Sequence, residues 1–380
     1  MGEREGSLED LVMGATTRQD LAGAYAGKRV FLTGHTGFKG GWLALWLRDL
    51  DAEVHGYALA PDPDPVLFRA AGVEGAVHHQ VGDVRDPGAL GAALDAARPD
   101  FVFHLAAQPL VRESYSAPVA TVETNVLGTV HLLEAIRMAR RPCAVVVVTS
   151  DKAYENRERH EGYREDEAMG GHDLYSASKG AAEVLVAAYR RSFFPPERLA
   201  GHGVALATAR AGNVVGGGDW AKDRIVPDAV GALAAGRPVP VRNPQAVRPW
   251  QHVLEPLGGY LLLGARLVGD GGAAFAEGWN FGPRHEDAVP VRDLVEKLIG
   301  AWGSGAWEDR SDPSASHEAT FLRLDIEKAR ARLGWAPRWG IDAAMRHTAE
   351  WYRAFHAGAG PAEMKAMTMA QIREYEGAAA

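Results

Sequence analysis

A single cysteine, Cys143, stands among the 380 residues. One cysteine excludes an internal disulfide and any site built from paired cysteine ligands, and it agrees with a reducing, cytoplasmic setting. Cys143 precedes an apolar run and reads as a small buried hydrophobe. Long hydrophobic runs are also missing, and no stretch approaches the ~20 apolar residues that cross a bilayer. Residues 1–27 are polar and mixed in charge, with no basic segment leading into an apolar one. No secretory leader is expected there, only a helical or frayed extension. An excess of positive charge is absent too: 41 Lys and Arg against 49 Asp and Glu leave a net charge of −8. That balance argues against a nucleic-acid surface, though it allows a local basic pocket for a phosphate. No ligand cluster has metal-site spacing, so no metal is expected. Internal repeats and low-complexity segments are lacking as well.

What is present is an ordinary globular balance, 47% hydrophobic and 24% charged, in an alternating pattern. Short apolar runs stand at 29–33 (RVFLT), 54–59, 78–84, 100–105 (DFVFHL), 144–149 (AVVVVT) and 203–211 (GVALATARA). Helical spacing links several of them, as in Trp42, Leu43, Leu45, Trp46, Leu47 and Leu50. Non-alternating strands followed by helices predict a parallel sheet buried on both faces, doubly wound through right-handed crossovers. The class is α/β. Residues 28–212 read as a Rossmann-type dinucleotide-binding domain and 213–380 mainly as a smaller substrate lobe. The chain is expected to return to the sheet near 274–281.

Between the first strand and the first helix stands TGHTGFKG, with Gly34, Gly37 and Gly40. Glycines there permit a tight turn, a close approach to a pyrophosphate, and close packing of helix on strand. The phosphates sit on the helix N-terminus. An acid at the end of strand two, which ordinarily binds the ribose of NAD, is missing: Ala58 occupies that position. Tyr175 and Lys179, in YSASK, lie four apart and share a helical face. A phenol titrates near ~10, so a base at neutral pH needs a neighbouring cation to stabilise its phenolate. TSDKAYEN, residues 149–156, stands at the end of strand five, where open α/β sheets face their ligands.

TGxxGxxG followed by GDVRD (82–86), HLAA (104–107), TNVLGT (124–129) and YxxxK resembles the extended short-chain dehydrogenase/reductase family. GHTGFKGGWL, HLAAQPLVRESY, TSDKAYEN, ARAGNVVGGGDWAKDRIVPD and RPWQHVLEPLGGYL resemble its nucleotide-sugar 4,6-dehydratase branch. The likeness runs from about residue 28 to the C-terminal MKAMTMAQIREYE. It implies NAD as cofactor, held by Gly34, His35, Gly37, Phe38, Lys39, Gly40, Asp83, Val84, Leu105, Ala106, Ala107 and Asn125 together with Tyr175 and Lys179.

The resemblance also implies roles around the sugar. Tyr175 takes the C4 hydroxyl proton, Ser150 bonds the C4 oxygen, and Asp151 protonates the departing C6 hydroxyl, which needs a raised pKa. Lys152 stands where a glutamate base is commoner; it is the base if neutral, or else a positioner. Arg248 clamps the diphosphate with Asn213 and Asn280 assisting, and Gln108, Asp219, Trp220 and Arg224 line the substrate. Pro249 and Trp250 fix the Arg248 loop. CDP-glucose is the implied substrate, and nothing in the composition specifies cytosine. Another nucleotide sugar, an epimerase, or a non-catalytic dinucleotide sensor on the same fold are the alternatives. A homodimer is implied, through the helix after Asn125 and the one bearing Tyr175. The spacing of Val130, Leu133 and Ile136 allows that packing and equally allows packing on the sheet.

Overall fold

Strands form where apolar and β-branched residues run without alternation. A computed structural model describes residues 18–63, 65–269, 271–311 and 322–379. Its strands are β1 (Arg29–Thr33), β2 (Glu53–Ala58), β3 (His78–Val81), β4 (Phe101–His104), β5 (Cys143–Val148), β6 (Val204–Ala211), β7 (Asn213–Val215), β8 (Val239–Val241), β9 (Val247–His252), β10 (Gly278–Phe281), β11 (Ala288–Pro290) and β12 (Trp307–Asp309). Seven make one parallel sheet in the order β10-β6-β5-β4-β1-β2-β3. The order reverses between β1 and β4, and ligands of such sheets lie in the crevice that opens there.

Successive strand residues point to opposite faces, and here both faces are covered. Ala144, Val146 and Val148 of β5 join one buried cluster, and Val145 and Val147 join the other. The helices Phe38–Asp49 and Leu254–Leu267 close the first face. The helices Pro87–Ala97, Gly128–Ala139 and Leu174–Ser192 close the second. Leu133 and Ile136 are buried there against the sheet. That face of their helix is therefore unavailable to a partner chain.

After β6 the chain leaves the large sheet. It builds a three-stranded sheet, β11-β9-β7, and a two-stranded one, β12-β8. It returns only as β10, whose Asn280 lies in register with Arg210 of β6. Within the expected extension, Arg18–Tyr25 is a helix fastened to the core. Tyr25 is fully buried, and its hydroxyl donates to the Leu261 carbonyl at 2.7 Å. The earlier residues of the extension, and Asp64, lie outside the described ones. No helix among the described residues is long and apolar enough to cross a membrane.

Candidate active site

The first turn after β1 is shaped by two close approaches. Gly34 has φ +79°, and a Cβ on it would lie 2.8 Å from the Ala106 nitrogen. A Cβ on Gly40 would lie 2.1 Å from the Gly34 carbonyl oxygen, so helix and strand touch there. Gly37 precedes the helix Phe38–Asp49, and no side chain caps it. The N–H groups of that first turn therefore face the crevice, as an anion site requires. These features fit a dinucleotide pyrophosphate. Gly40→Ala is expected to weaken NAD binding on the order of tenfold, because the overpacking strain falls on the phosphate loop. Calorimetric titration of the variant with NAD checks this, and unchanged affinity would refute the cradle.

Thr33, the last residue of β1, holds the neighbouring loop. Its hydroxyl accepts from the N–H groups of Leu105 and Ala106, both at 3.2 Å. Asn125, 2% exposed, accepts from the Gln108 N–H at 2.8 Å and donates to the Gln108 carbonyl at 3.1 Å and to Ser178 Oγ at 2.9 Å. It thus ties the loop after β4 to the helix that carries Tyr175. The Gln108 side chain is occupied by Leu110 of the same loop and by Thr121 of the helix Pro118–Val122.

At the end of β5, Ser150 donates to Asp151 Oδ1 at 3.0 Å, and the Lys152 N–H reaches the same oxygen at 2.8 Å. Asp151 is 5% exposed, and burial raises its carboxyl above the usual range, against the opposing field of Lys152. A Cβ on Gly212 would lie 2.7 Å from Asp151 Oδ2, so only glycine leaves room for that carboxyl.

The helix Leu174–Ser192 begins at Asp173, whose carboxylate accepts from the Ser176 N–H at 2.9 Å. This cap sets Tyr175 in the first turn. Burial raises the Tyr175 phenol; hydrogen bonding to Ser150 lowers it, the Asp151 carboxylate raises it, and the Arg224 cation lowers it. Burial lowers Lys179 to about 8, and Glu183 opposes the fall. Lys39 is lowered to about 8 by burial and by Arg224 and Lys179, with Asp151 and Asp219 opposing. Ser150, Asp151, Tyr175, Lys179, Lys39 and Arg224 therefore lie near enough to act on one another's charge, at the strand ends where such sheets bind their ligands.

Several residues expected to touch cofactor or substrate, or to fix a loop there, have side chains engaged with the protein. His35 is fully buried, with Nε2 2.6 Å from His79 Nδ1. Burial and His79 lower it to about 4. It is neutral at physiological pH and brings no charge to the phosphate loop. The Val84 side chain turns into the core. Asp83 holds Arg85 through both carboxylate oxygens. Trp220 packs among Trp351, Tyr352 and Phe355, and Trp250 lies in the core.

Asn280 is fully buried: it accepts from Tyr154 Oη at 2.8 Å and donates to the carbonyls of Tyr163 and Asp325. All of its amide groups are engaged in joining β10 to two loops, so it pins structure and does not assist a diphosphate. Asp219 acts on the site through Arg224, which it holds at 2.8 Å. Asn213 lies on β7 beside Trp250, and Arg248 on β9 opposite Val289.

Sequence reasoning passed over Glu183 and Arg210, buried partners at 2.8 Å. Two signals could have found them: Glu183 stands one turn beyond Lys179, and Arg210 is a charge inside an otherwise apolar strand. One further cluster, Glu53, His55 and His78, has its ligand atoms within 4.8 Å of one another. It lies toward the N-terminal ends of β2 and β3, away from the crevice. Pattern reading missed it because His78 arrives from the neighbouring strand, in register with His55.

The chain is similar to known proteins over most of its length. The chain is 50% identical over 334 residues to a CDP-glucose 4,6-dehydratase of Salmonella typhimurium, covering 88% of this chain and 93% of that one. It is 33% identical over 276 residues to a dTDP-glucose 4,6-dehydratase of Streptomyces antibioticus, covering 72% and 75%. Among solved structures, a dTDP-glucose 4,6-dehydratase from Streptomyces venezuelae with NAD bound superposes with a TM-score of 0.71 at 24% identity, over 87% of this chain and 98% of that one. A UDP-glucose 4-epimerase from Thermotoga maritima gives 0.72 at 21% identity, over 86% and 99%. These two show the fold alone. The family model described as GDP-mannose 4,6 dehydratase matches residues 31–348, from the first strand to the penultimate helix. The chain belongs to that family.

Proposed function

We propose that the chain is an NAD-dependent lyase that converts CDP-glucose to CDP-4-keto-6-deoxyglucose and water. The observation that carries the reaction class is Asp151, a buried carboxyl raised above its usual range beside Tyr175. Epimerases share the fold, so the fold alone does not separate the two chemistries. Identity of 50% to a CDP-glucose 4,6-dehydratase supports the nucleotide.

NAD, when bound, would supply the acceptor for the C4 hydride and the donor of that hydride to C6, where a proton regained at C5 completes the balance without an outside oxidant. Gly34, Gly40 and the open helix N-terminus would hold its pyrophosphate, and Lys179 its nicotinamide ribose. Tyr175 takes the proton of the C4 hydroxyl, and Ser150 steadies the oxygen. The resulting C4 ketone acidifies the C5 proton. As that proton leaves, Asp151 donates its own to the C6 hydroxyl, which departs as water. Lys152 adjoins Asp151; it accepts the C5 proton when neutral, and as an ammonium it orients Asp151 instead. Arg224 and Lys39 give the crevice the positive charge that a diphosphate requires.

A panel of CDP-, dTDP- and UDP-glucose and GDP-mannose, with NAD and no other redox reagent, tests the nucleotide. CDP-glucose should turn over at least about tenfold faster than the others. A clear preference for a different nucleotide would retain the class and overturn the substrate. No turnover of any would favour a dinucleotide sensor.

The chain also forms a homodimer in this reading. Of eleven exposed large apolar side chains among the described residues, eight lie between positions 115 and 193. They include Tyr115 at 72%, Val119 at 68%, Met138 at 64% and Val184 at 54%. The helices that bear them contact one another, and exposed apolar side chains brought together in this way support an interaction surface. Tyr115→Glu with Val184→Lys should convert a dimer to a monomer in sedimentation velocity. A wild-type monomer would contradict the assignment. A cytoplasmic setting fits a chain whose one cysteine, the half-buried Cys143, has no second cysteine with which to form a disulfide.

A further inference from the structure

Glu183 lies one turn beyond Lys179 on the helix Leu174–Ser192. Residues four apart share a helical face, so the carboxylate follows the ammonium into the same dry wedge between helix and sheet. Glu183 is 4% exposed and Lys179 7%. Three donors hold the carboxylate: Thr149 Oγ1 at 2.5 Å, Thr208 Oγ1 at 2.8 Å and Arg210 Nη2 at 2.8 Å. Lys179 Nζ meets the Val148 carbonyl at 3.5 Å, one residue before Thr149. The two charged groups thus reach consecutive residues at the end of the strand that leads into Ser150 and Asp151.

We propose that Glu183 is a positioning residue: one turn beyond Lys179, it fastens the helix that bears Lys179 to the strand end leading into Ser150 and Asp151, and its carboxylate supports the Lys179 charge. The inference rests on the catalytic reading of Tyr175 and Lys179 given above. Lys179, Arg190 and Arg210 all feel the Glu183 carboxylate. Glu165 acts on Tyr154, which Arg210 binds at 2.6 Å, and Glu277 acts on Arg190. Among these acids only Glu183 acts on Lys179. Replacing it with an uncharged residue leaves Lys179 with the cations Arg190 and Arg210 and, from the phosphate loop, Lys39, in a medium that screens them poorly; His104, which also faces Lys179, is kept neutral by burial. Lys179 then loses its proton more readily. A neutral amine no longer stabilises the Tyr175 phenolate.

The sign is definite. Lys179 is charged below its pKa, about 8, so activity that needs the charge is lost as pH rises through that value. Glu183→Gln lowers the pKa, and the alkaline limb of kcat/KM should move down by about one pH unit or more. Glu183→Asp keeps the charge and should restore the limb. Should an unpaired Arg210 prevent folding of the glutamine variant, Glu183→Gln with Arg210→Met removes both buried charges; the limb should still move down, by less than in the single variant, because the Arg210 cation is gone as well. A lower limb in the charge-removing variants, restored by aspartate, supports the proposal. A fall in rate with the limb unmoved means that Glu183 only supports the fold, and overturns it. Loss of turnover in Tyr175→Phe shows that the catalytic reading stands independently of that outcome.

Discussion

Tyr175→Phe should lower kcat by about 10³-fold, within the usual range for removing a general base. This corresponds to roughly 4 kcal/mol of transition-state stabilisation. Ring packing is retained, because phenylalanine fills the same space in the first turn of its helix. NAD should therefore still bind, which equilibrium titration measures. The phenol of the unliganded protein is held above its ordinary value by burial. Catalysis near neutral pH then needs the Lys179 charge and the bound cofactor to reverse that shift. If the phenylalanine variant kept full turnover, the catalytic assignment would be wrong.

Asp151→Asn should abolish dehydration while leaving oxidation at C4 possible. The overall rate should fall by about 10²–10⁴-fold. The uncoupling has its own signature: reduced nicotinamide absorbance should rise on adding sugar nucleotide and persist, where the wild-type signal is transient. The pH dependence follows from the raised carboxyl. A general acid works only while protonated, so the Asp151-dependent step weakens as pH rises through its pKa. Burial extends its working range upward from that of an ordinary carboxylate. A variant that lost C4 oxidation together with dehydration would move Asp151 out of the acid role and into substrate binding.

Much of the fold is legible because the central strands are buried on both faces, and such strands lack alternation; β3, at the sheet edge, is largely exposed. The six apolar runs read from the sequence coincide within a few residues with β1–β6, and β10 falls inside the expected return at 274–281. The glycines could be read from position alone, following a strand and opening a helix. The side chains around them could not. His35 and Lys39 are four residues apart at the same turn, yet one is sealed under β2 and the other faces the crevice. That difference is set by His79 and Arg224, which arrive from distant segments.

The pull of Asn280 into structure is equally non-local, since its partners are a tyrosine 126 residues before it and the carbonyls of two loops. The apolar stripe of Leu133 and Ile136 could have served either sheet or partner, and only the packing shows that it meets the sheet. Glu183 and Arg210 escape a sequence reading because their pairing joins a helix to a strand 27 residues on. Paired across helix and strand, they form the buried link beneath Lys179.

The measurement closest to the central claim is incubation of the protein with CDP-glucose and NAD in heavy water, without external oxidant or reductant. A 4-keto-6-deoxy product carrying solvent deuterium at C5, with no net change in NAD, is the expected result. Return of a C4 epimer, or of unaltered CDP-glucose from NAD-loaded protein, would contradict it.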